Sequence, residues 1–317
     1  MHNQVLAVDI GATKVALALI DESMNVSEKY EIRVENEKDL WSEIAEHSVD
    51  IVNRVNGNFL GVGIGSAGPL HLSTGSISPV NIPQWRKFGI VDCFRKTLDA
   101  EFVVLHGDAL AFAQAEHRLG AGRGVQNLLG MVVSTGIGGG LILNNQVFNG
   151  DSGNASFIGH HTINFDGIPC ACGRFGCVET YASGPRMAEI ARTRGWKSDS
   201  PSFIALAEDA RSGNATALEV IDEGTRALAV GIVNTLATLD IRTVVLGGGV
   251  TQAGDIFWSP LRNHVKNEAR FTSFLENLDL RAAQLDRDAG VIGAALGVIS
   301  EIEALDRVPH LNNQKGL

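Results

Sequence analysis

Val5-Leu-Ala-Val-Asp9-Ile-Gly11-Ala-Thr13-Lys14-Val-Ala-Leu-Ala-Leu-Ile20 is the stretch on which the fold turns. Its two apolar runs, Val5 to Val8 and Val15 to Ile20, read as buried strands joined by a turn at Gly11-Ala12-Thr13. The turn admits two readings. Its backbone N–H groups and the Thr13 hydroxyl can face an anion while Asp9 holds a hydrated Mg2+, or it is an ordinary hairpin turn.

Outward from that stretch, strand and helix patterns alternate. Asp39 to Asn53 has helical periodicity marked by Leu40, Ile44, Val49 and Ile51, and Phe59 to Ile64 and Phe102 to Leu105 read as strands. A second series follows: strands at Leu128–Val133 and Gly140–Leu143, a long helix over Ala215–Leu239, and a strand at Thr243–Leu246. Asp288 to Ile299 is a helix of small residues suited to close packing. These patterns predict an α/β protein of two domains. Residues 1–118 with 288–317 form the smaller one, and 119–287 the larger, with 120–127 as linker and 311–317 as a frayed end. No internal repeat is visible in the sequence.

Composition narrows the function classes. A chain of 317 residues has room for two cores, and 44% hydrophobic with 20% charged residues is a globular balance. The net charge of −10 and a pI near 5.4 disfavour nucleic acid, anionic membrane or a long polyanion as partner. No run of apolar residues is long enough to span a bilayer. The N-terminus lacks a basic region and Asp9 interrupts its apolar run, so the expected compartment is the cytoplasm.

Glycine is the compositional outlier, with 36 residues arriving in clusters. Ser134-Thr135-Gly136-Ile-Gly138-Gly139-Gly140 follows a strand and can cradle phosphate as the first turn can. Gly247-Gly248-Gly249 follows another strand, where missing side chains can admit a nucleotide base or ribose. A fourth run, Gly63-Ile-Gly65-Ser-Ala-Gly68, imitates a dinucleotide fingerprint. Pro69 follows at once, no helix pattern comes after it, and no acidic residue stands about twenty positions on. A P-loop is excluded because no glycine-lysine-serine/threonine run occurs.

Three of the four cysteines lie in Cys170-Ala-Cys172-Gly-Arg-Phe-Gly-Cys177, ten positions after His160. Three thiolates and one imidazole are the ligand set of a closed, tetrahedral, structural Zn2+ site. The alternatives are incidental buried thiols or a disulfide, the latter disfavoured in the reducing compartment expected. Gly173 and Gly176 suit a backbone that wraps tightly around an ion. Glu179 follows Cys177 by two residues, so the metal fixes where a carboxylate points.

Together, Asp9-Ile-Gly-Ala-Thr-Lys14, Ser134-Thr-Gly-Ile-Gly-Gly-Gly140, Leu246-Gly-Gly-Gly-Val250 and Gly159-His160 ahead of the cysteine run and Glu179 resemble the ROK family. That family comprises bacterial sugar kinases and related repressors, and the motifs run in family order to about residue 297. The resemblance implies an actin-like ATPase (ribonuclease H-like) fold with two α/β domains around a cleft. It implies ATP–Mg2+ at Asp9, Gly11, Thr13, Lys14, Thr135, Gly136, Gly138, Gly248 and Gly249. It puts sugar at Gly65, Asn81, Gly107, Asp108, Phe157, His160 and Glu179, and Zn2+ at His160, Cys170, Cys172 and Cys177. Asp108, opening a helix after a strand, is then the catalytic base; the same residue also suits a plain helix cap. Family habit suggests a homodimer.

Two departures from the family pattern bear on the sugar. Gly107 stands where family kinases usually have asparagine, and Phe157 where they usually have glutamate. The expected reaction is ATP-dependent phosphorylation of the C6 hydroxyl of a hexose or N-acetylhexosamine, with N-acetylmannosamine ahead of glucose. The alternative is a glucokinase, which Asn81-Ile-Pro-Gln-Trp85 and Tyr181-Ala-Ser-Gly184 resemble. A further alternative is a catalytically silent sugar-binding sensor, which would also show Gly107 and Phe157. A family repressor would need a DNA-binding segment before the first turn, and Asp9 leaves no room for one.

Overall fold

The structure, a computed structural model, describes residues 2–34 and 39–307; the frayed end expected at 311–317 lies outside the described residues. Contacts divide the chain into two units. Unit 1 takes residues 1–111, 149–154 and 287 onward, and unit 2 takes 112–148 and 155–286.

The chain begins with β1 (His2–Ile10), β2 (Lys14–Asp21), β3 (Val26–Arg33), α1 (Leu40–Val52) and β4 (Gly57–Ser66). It continues with β5 (Leu70–His71), β6 (Ser76–Ile77), α2 (Ile90–Leu98), β7 (Phe102–Gly107) and α3 (Asp108–Arg118). Then come β8 (Leu128–Val133), β9 (Ile137–Leu143), β10 (Gln146–Phe148), α4 (Glu179–Ala182), α5 (Gly184–Thr193) and α6 (Phe203–Arg211). The remainder is α7 (Ala215–Leu239), β11 (Thr243–Gly247), α8 (Asp255–Ala269), β12 (Asp279–Ala282) and α9 (Ala289–Arg307).

Unit 1 is built on a five-stranded sheet in the order β3-β2-β1-β4-β7. The first three strands are antiparallel neighbours, while β1, β4 and β7 run parallel. Because β1 is central, both of its faces are apolar. Leu6, Val8 and Ile10 join Ile44, Ile51 and Phe94 from α1 and α2. Val5 and Ala7 join Val291, Ala294, Ala295 and Val298 of α9, so the small-residue helix packs closely as its composition requires. Each fully buried Leu or Ile here contributes about 1.5–3 kcal/mol. Residues 149–154 belong to this unit through side-chain bonds: the Asn154 amide pairs with both the N–H and C=O of Leu70 at 2.8 Å.

Unit 2 repeats the strand order on a second sheet, β10-β9-β8-β11-β12. Again the first three strands are antiparallel and β8, β11 and β12 are parallel. Leu129, Met131 and Val133 of β8 pack with Leu228, Ile232 and Leu236 of α7 in one core. Asn214 caps α7, its side chain accepting the Ala217 N–H at 3.0 Å. Residues 120–127, expected as a linker, lie within unit 2. The cause is Glu116, a buried carboxylate that accepts the N–H groups of Ala121, Gln284 and Leu285 at 2.8–2.9 Å.

Several elements escape the sequence patterns. β3, with its Ser-Glu-Lys-Tyr-Glu run, is an edge strand too polar to show burial. α8 carries Pro260 inside its helical span. Among the described residues, no helix is long and apolar enough to cross a membrane.

Candidate functional site

In unit 1 the expected residues gather at the carboxyl ends of the three parallel strands, where open α/β sheets bind ligands. Asp9 is the penultimate residue of β1 and registers opposite Gly65 of β4. Gly107 ends β7, paired with Ser66, and Asp108 opens α3 directly after it. Gly65 lies between the two acids: a side-chain carbon placed on it would sit 3.8 Å from Asp9 Oδ1 and 3.7 Å from Asp108 Cα. The first turn of α9 backs the same spot, with a carbon on Gly290 only 2.3 Å from Asp9 Oδ2.

Enclosure sets the electrostatics. Both acids keep part of their residue surface accessible, but desolvation of the carboxyl dominates. Burial pushes Asp9 from 3.8 up to about 7, Asp108 adds to the rise, and Lys14 and Lys29 oppose it. Burial also raises Asp108, against the pull of backbone N–H groups. One of those is the Ala109 N–H, donated to Asp108 Oδ1 at 2.7 Å, so the side chain is locked at the helix start. The turn at Gly11 closes through Gly11 N–H to Lys14 O at 3.0 Å, with Thr13 and Lys14 exposed and Lys14 ion-paired to Glu31. Asn81 stands in an exposed turn just before the buried Ile82 and Trp85.

In unit 2 the second and third glycine turns form one neighbourhood. Ser134 N–H bonds to Gly136 O at 2.9 Å, and Gly184 N–H at the head of α5 holds Ser134 O at 2.9 Å. Glu179 Oε2 accepts the Ile137 N–H at 2.8 Å. Gly248 has φ +97, and a side-chain carbon there would lie 2.4 Å from Val133 O, so the turn rests directly on the end of β8. Gly249 approaches Ser134 in the same way, at 3.6 Å from its Oγ. Thr135, Gly136 and Gly138 on one turn are thus brought beside Gly248 and Gly249 on the other.

The cysteine loop is a tight knuckle. Cys170 N–H bonds to Arg174 O at 2.8 Å and Gly173 N–H to Cys170 O at 3.0 Å. Gly173 and Gly176 adopt φ of +89 and +62, the left-handed region that glycine enters without cost. The ligand atoms of His160, Cys170, Cys172 and Cys177 all lie within 4.8 Å of one another. His160 Nδ1 is 3.4 Å from Cys170 Sγ, and the Cys172 and Cys177 sulfurs are 3.6 Å apart. Tetrahedral Zn–S bonds of about 2.3 Å put ligands about 3.7 Å apart, so the donor set and its spacing fit that ion. Phe157 packs against the His160 ring, centroids 4.6 Å apart and planes tilted by 35°, and remains 42% exposed.

Comparison with known proteins shows the family. The family model described as ROK family matches residues 5–301. The chain belongs to the ROK family. It is 32% identical to a glucokinase of Halalkalibacterium halodurans, over 95% of this chain and 97% of that one. It is also 32% identical to an N-acetylmannosamine kinase of Yersinia pestis, over 92% and 97%. A solved structure, a ROK family glucokinase of Streptomyces griseus in complex with glucose and AMPPNP, superposes with a TM-score of 0.80 at 28% identity, covering 92% of this chain and 98% of that one. The fold is the actin-like ATPase fold expected from the motifs.

Within this ROK chain two neighbours of the site gave no sequence signal. Gly290 backs Asp9 but sits in a run of small residues that reads as plain packing. Ser156, ahead of Phe157, takes a left-handed backbone with φ +62 and a buried Oγ without a hydrogen-bond partner. Such a non-glycine conformation costs about 1–2 kcal/mol, and it sets the direction in which Phe157 leaves the chain.

Proposed function

We propose that this protein transfers the γ-phosphoryl group of ATP to the C6 hydroxyl of a hexose or N-acetylhexosamine, with N-acetylmannosamine preferred over glucose. The observation that carries the reading is the pair of enclosed carboxylates, Asp9 and Asp108, flanking Gly65 at the strand ends. Phosphoryl transfer asks the protein for positioning, charge neutralisation and a base at the attacking hydroxyl. Asp108 is the base. Its elevated pKa makes the ionised form a better proton acceptor than an ordinary surface carboxylate. Asp9 holds hydrated Mg2+, which neutralises phosphate charge when bound. Thr13, Lys14 and the backbone around Gly11, Thr135, Gly136, Gly138, Gly248 and Gly249 receive the nucleotide.

His160, Glu179 and Phe157, with Gly65, Asn81 and Gly107, contact the sugar. The knuckle of His160, Cys170, Cys172 and Cys177 holds a structural Zn2+. Bound there, the ion supplies rigidity rather than reaction chemistry. His160 gives Nδ1 to the metal cluster and keeps its other ring nitrogen for a hydroxyl.

The preference for N-acetylmannosamine rests on Phe157. Its ring is half-exposed and packed at a tilt against His160, so it offers an apolar surface to an acetyl methyl and no partner to a hydroxyl. A site lacking such a partner discriminates weakly for hydroxyls and gains from apolar contact. The test is the ratio of kcat/KM for the two sugars, with 31P NMR fixing the phosphate on C6. Phe157→Glu should shift the ratio toward glucose. An unchanged ratio removes Phe157 from the substrate and the preference with it.

A further inference from the structure

We propose that Glu179 is a positioning residue for the turn at 134–137, so that one carboxylate serves both the nucleotide side and the sugar side of unit 2. The inference rests on the kinase reading above, in which that turn receives phosphate. Glu179 opens α4 two residues after Cys177, and its segment is rigid. Val178 and Cys177 are fully buried, and Thr180 Oγ1 donates to Cys177 O at 2.6 Å. From this fixed base, Oε2 accepts the Ile137 N–H at 2.8 Å. The fit is close: a side-chain carbon on Gly136 would lie 2.8 Å from the same Oε2.

The turn is therefore pinned at both ends by one short stretch of chain. Glu179 holds Ile137 on one side, and Gly184, five residues later, holds Ser134 O at 2.9 Å on the other. A carboxylate beside a turn meant for phosphate works against anion binding through its charge. It is useful there only if it fixes the direction of the backbone N–H groups that the phosphate meets. That trade makes a signature. Glutamine at 179 keeps an oxygen that can accept the Ile137 N–H and removes the charge; alanine removes both.

The experiment reads two quantities without sugar: hydrogen exchange at the Ile137 N–H in ligand-free protein, and the Kd for AMPPNP–Mg2+ by calorimetry. E179A should exchange Ile137 about tenfold faster or more and bind AMPPNP about tenfold more weakly, the scale of one lost charge-assisted bond. E179Q should keep both within about threefold of wild type, with nucleotide bound at least as tightly. If E179A does not fold, E179D serves, since it keeps the charge but falls short of Ile137. Wild type that binds AMPPNP while the alanine or aspartate variant binds equally well overturns this inference alone. Wild type that binds no AMPPNP overturns the kinase reading and the inference with it.

Discussion

In unit 1 the β1–β2 hairpin turns through Gly11 to Thr13 beside two enclosed carboxylates. In unit 2 the equivalent β8–β9 hairpin turns through Ser134 to Gly136 beside backbone N–H groups, a glycine turn and a thiol knuckle. The strand orders correspond position by position, β3-β2-β1-β4-β7 against β10-β9-β8-β11-β12. Topology therefore fixes where ligands can be met, at the carboxyl ends of parallel strands, and leaves open what chemistry is placed there. In the proposed function, unit 1 carries the base and the Mg2+ ligand at that address, Asp108 and Asp9. Unit 2 carries the backbone turns proposed for phosphate and the side chains proposed for sugar hydroxyls.

Breaking the unit 1 chemistry should give the largest effect. Asp108→Asn should lower kcat by about 10² or more while leaving the fold and sugar affinity near wild type, the scale of a lost general base. A variant within about threefold of wild type would remove Asp108 from the reaction. Breaking the unit 2 chemistry should act on binding and stability instead. Purified protein should carry one zinc per chain, and Cys172→Ser should lose it, lower the melting temperature and raise sugar KM by about tenfold, because metal binding is folding free energy for such loops. Metal analysis of protein prepared without chelator decides the first part, and melting curves with KM measurements decide the second.

The enclosed acids also separate the units by pH. Asp9 is held at about 7 in the folded protein against 3.8 as an ordinary carboxyl. Its contribution to stability is full below 3.8 and is lost as pH rises through about 7. Wild type and Asp9→Asn, both free of Mg2+, should therefore diverge between pH 4 and 8, the variant gaining relative to wild type as pH rises. Parallel melting profiles would mean that Asp9 is not enclosed. The smallest effect expected is at Ser156→Gly, which relieves a left-handed serine and its buried hydroxyl in unit 2. It should raise stability by about 1 kcal/mol or less, and a lowered melting temperature would contradict the strain.

Much of this division was legible in sequence because it rests on strong local signals. Asp9-Ile-Gly11 between two apolar runs marks a hairpin, and the cysteine spacing marks a knuckle whose four ligand atoms do converge. The helix over Ala215–Leu239 coincides with α7 because its apolar period continues unbroken and Asn214 caps it. What stayed hidden depends on distant neighbours. The duplicated strand order shows no internal repeat in the sequence, since equivalent central strands need only be apolar and the edge strands β3 and β10 not even that. The bond from Glu179 to Ile137 spans 42 positions, and Gly290 meets Asp9 from the far end of the chain. No local pattern announces either contact. Phe157 is legible in the sequence as a departure from the family pattern, but only its contact with the His160 ring gives the departure a direction.

The most direct test of the whole account is release of ADP from ATP–Mg2+ by the wild-type protein, measured with and without each of N-acetylmannosamine, glucose, mannose, N-acetylglucosamine, glucosamine and fructose. The account predicts release that depends on sugar, highest with N-acetylmannosamine and next with glucose, and absent when water is the only acceptor. Sugar and nucleotide that both bind, with no sugar in the set stimulating ADP release, would contradict it and leave a sugar-binding protein without phosphoryl transfer.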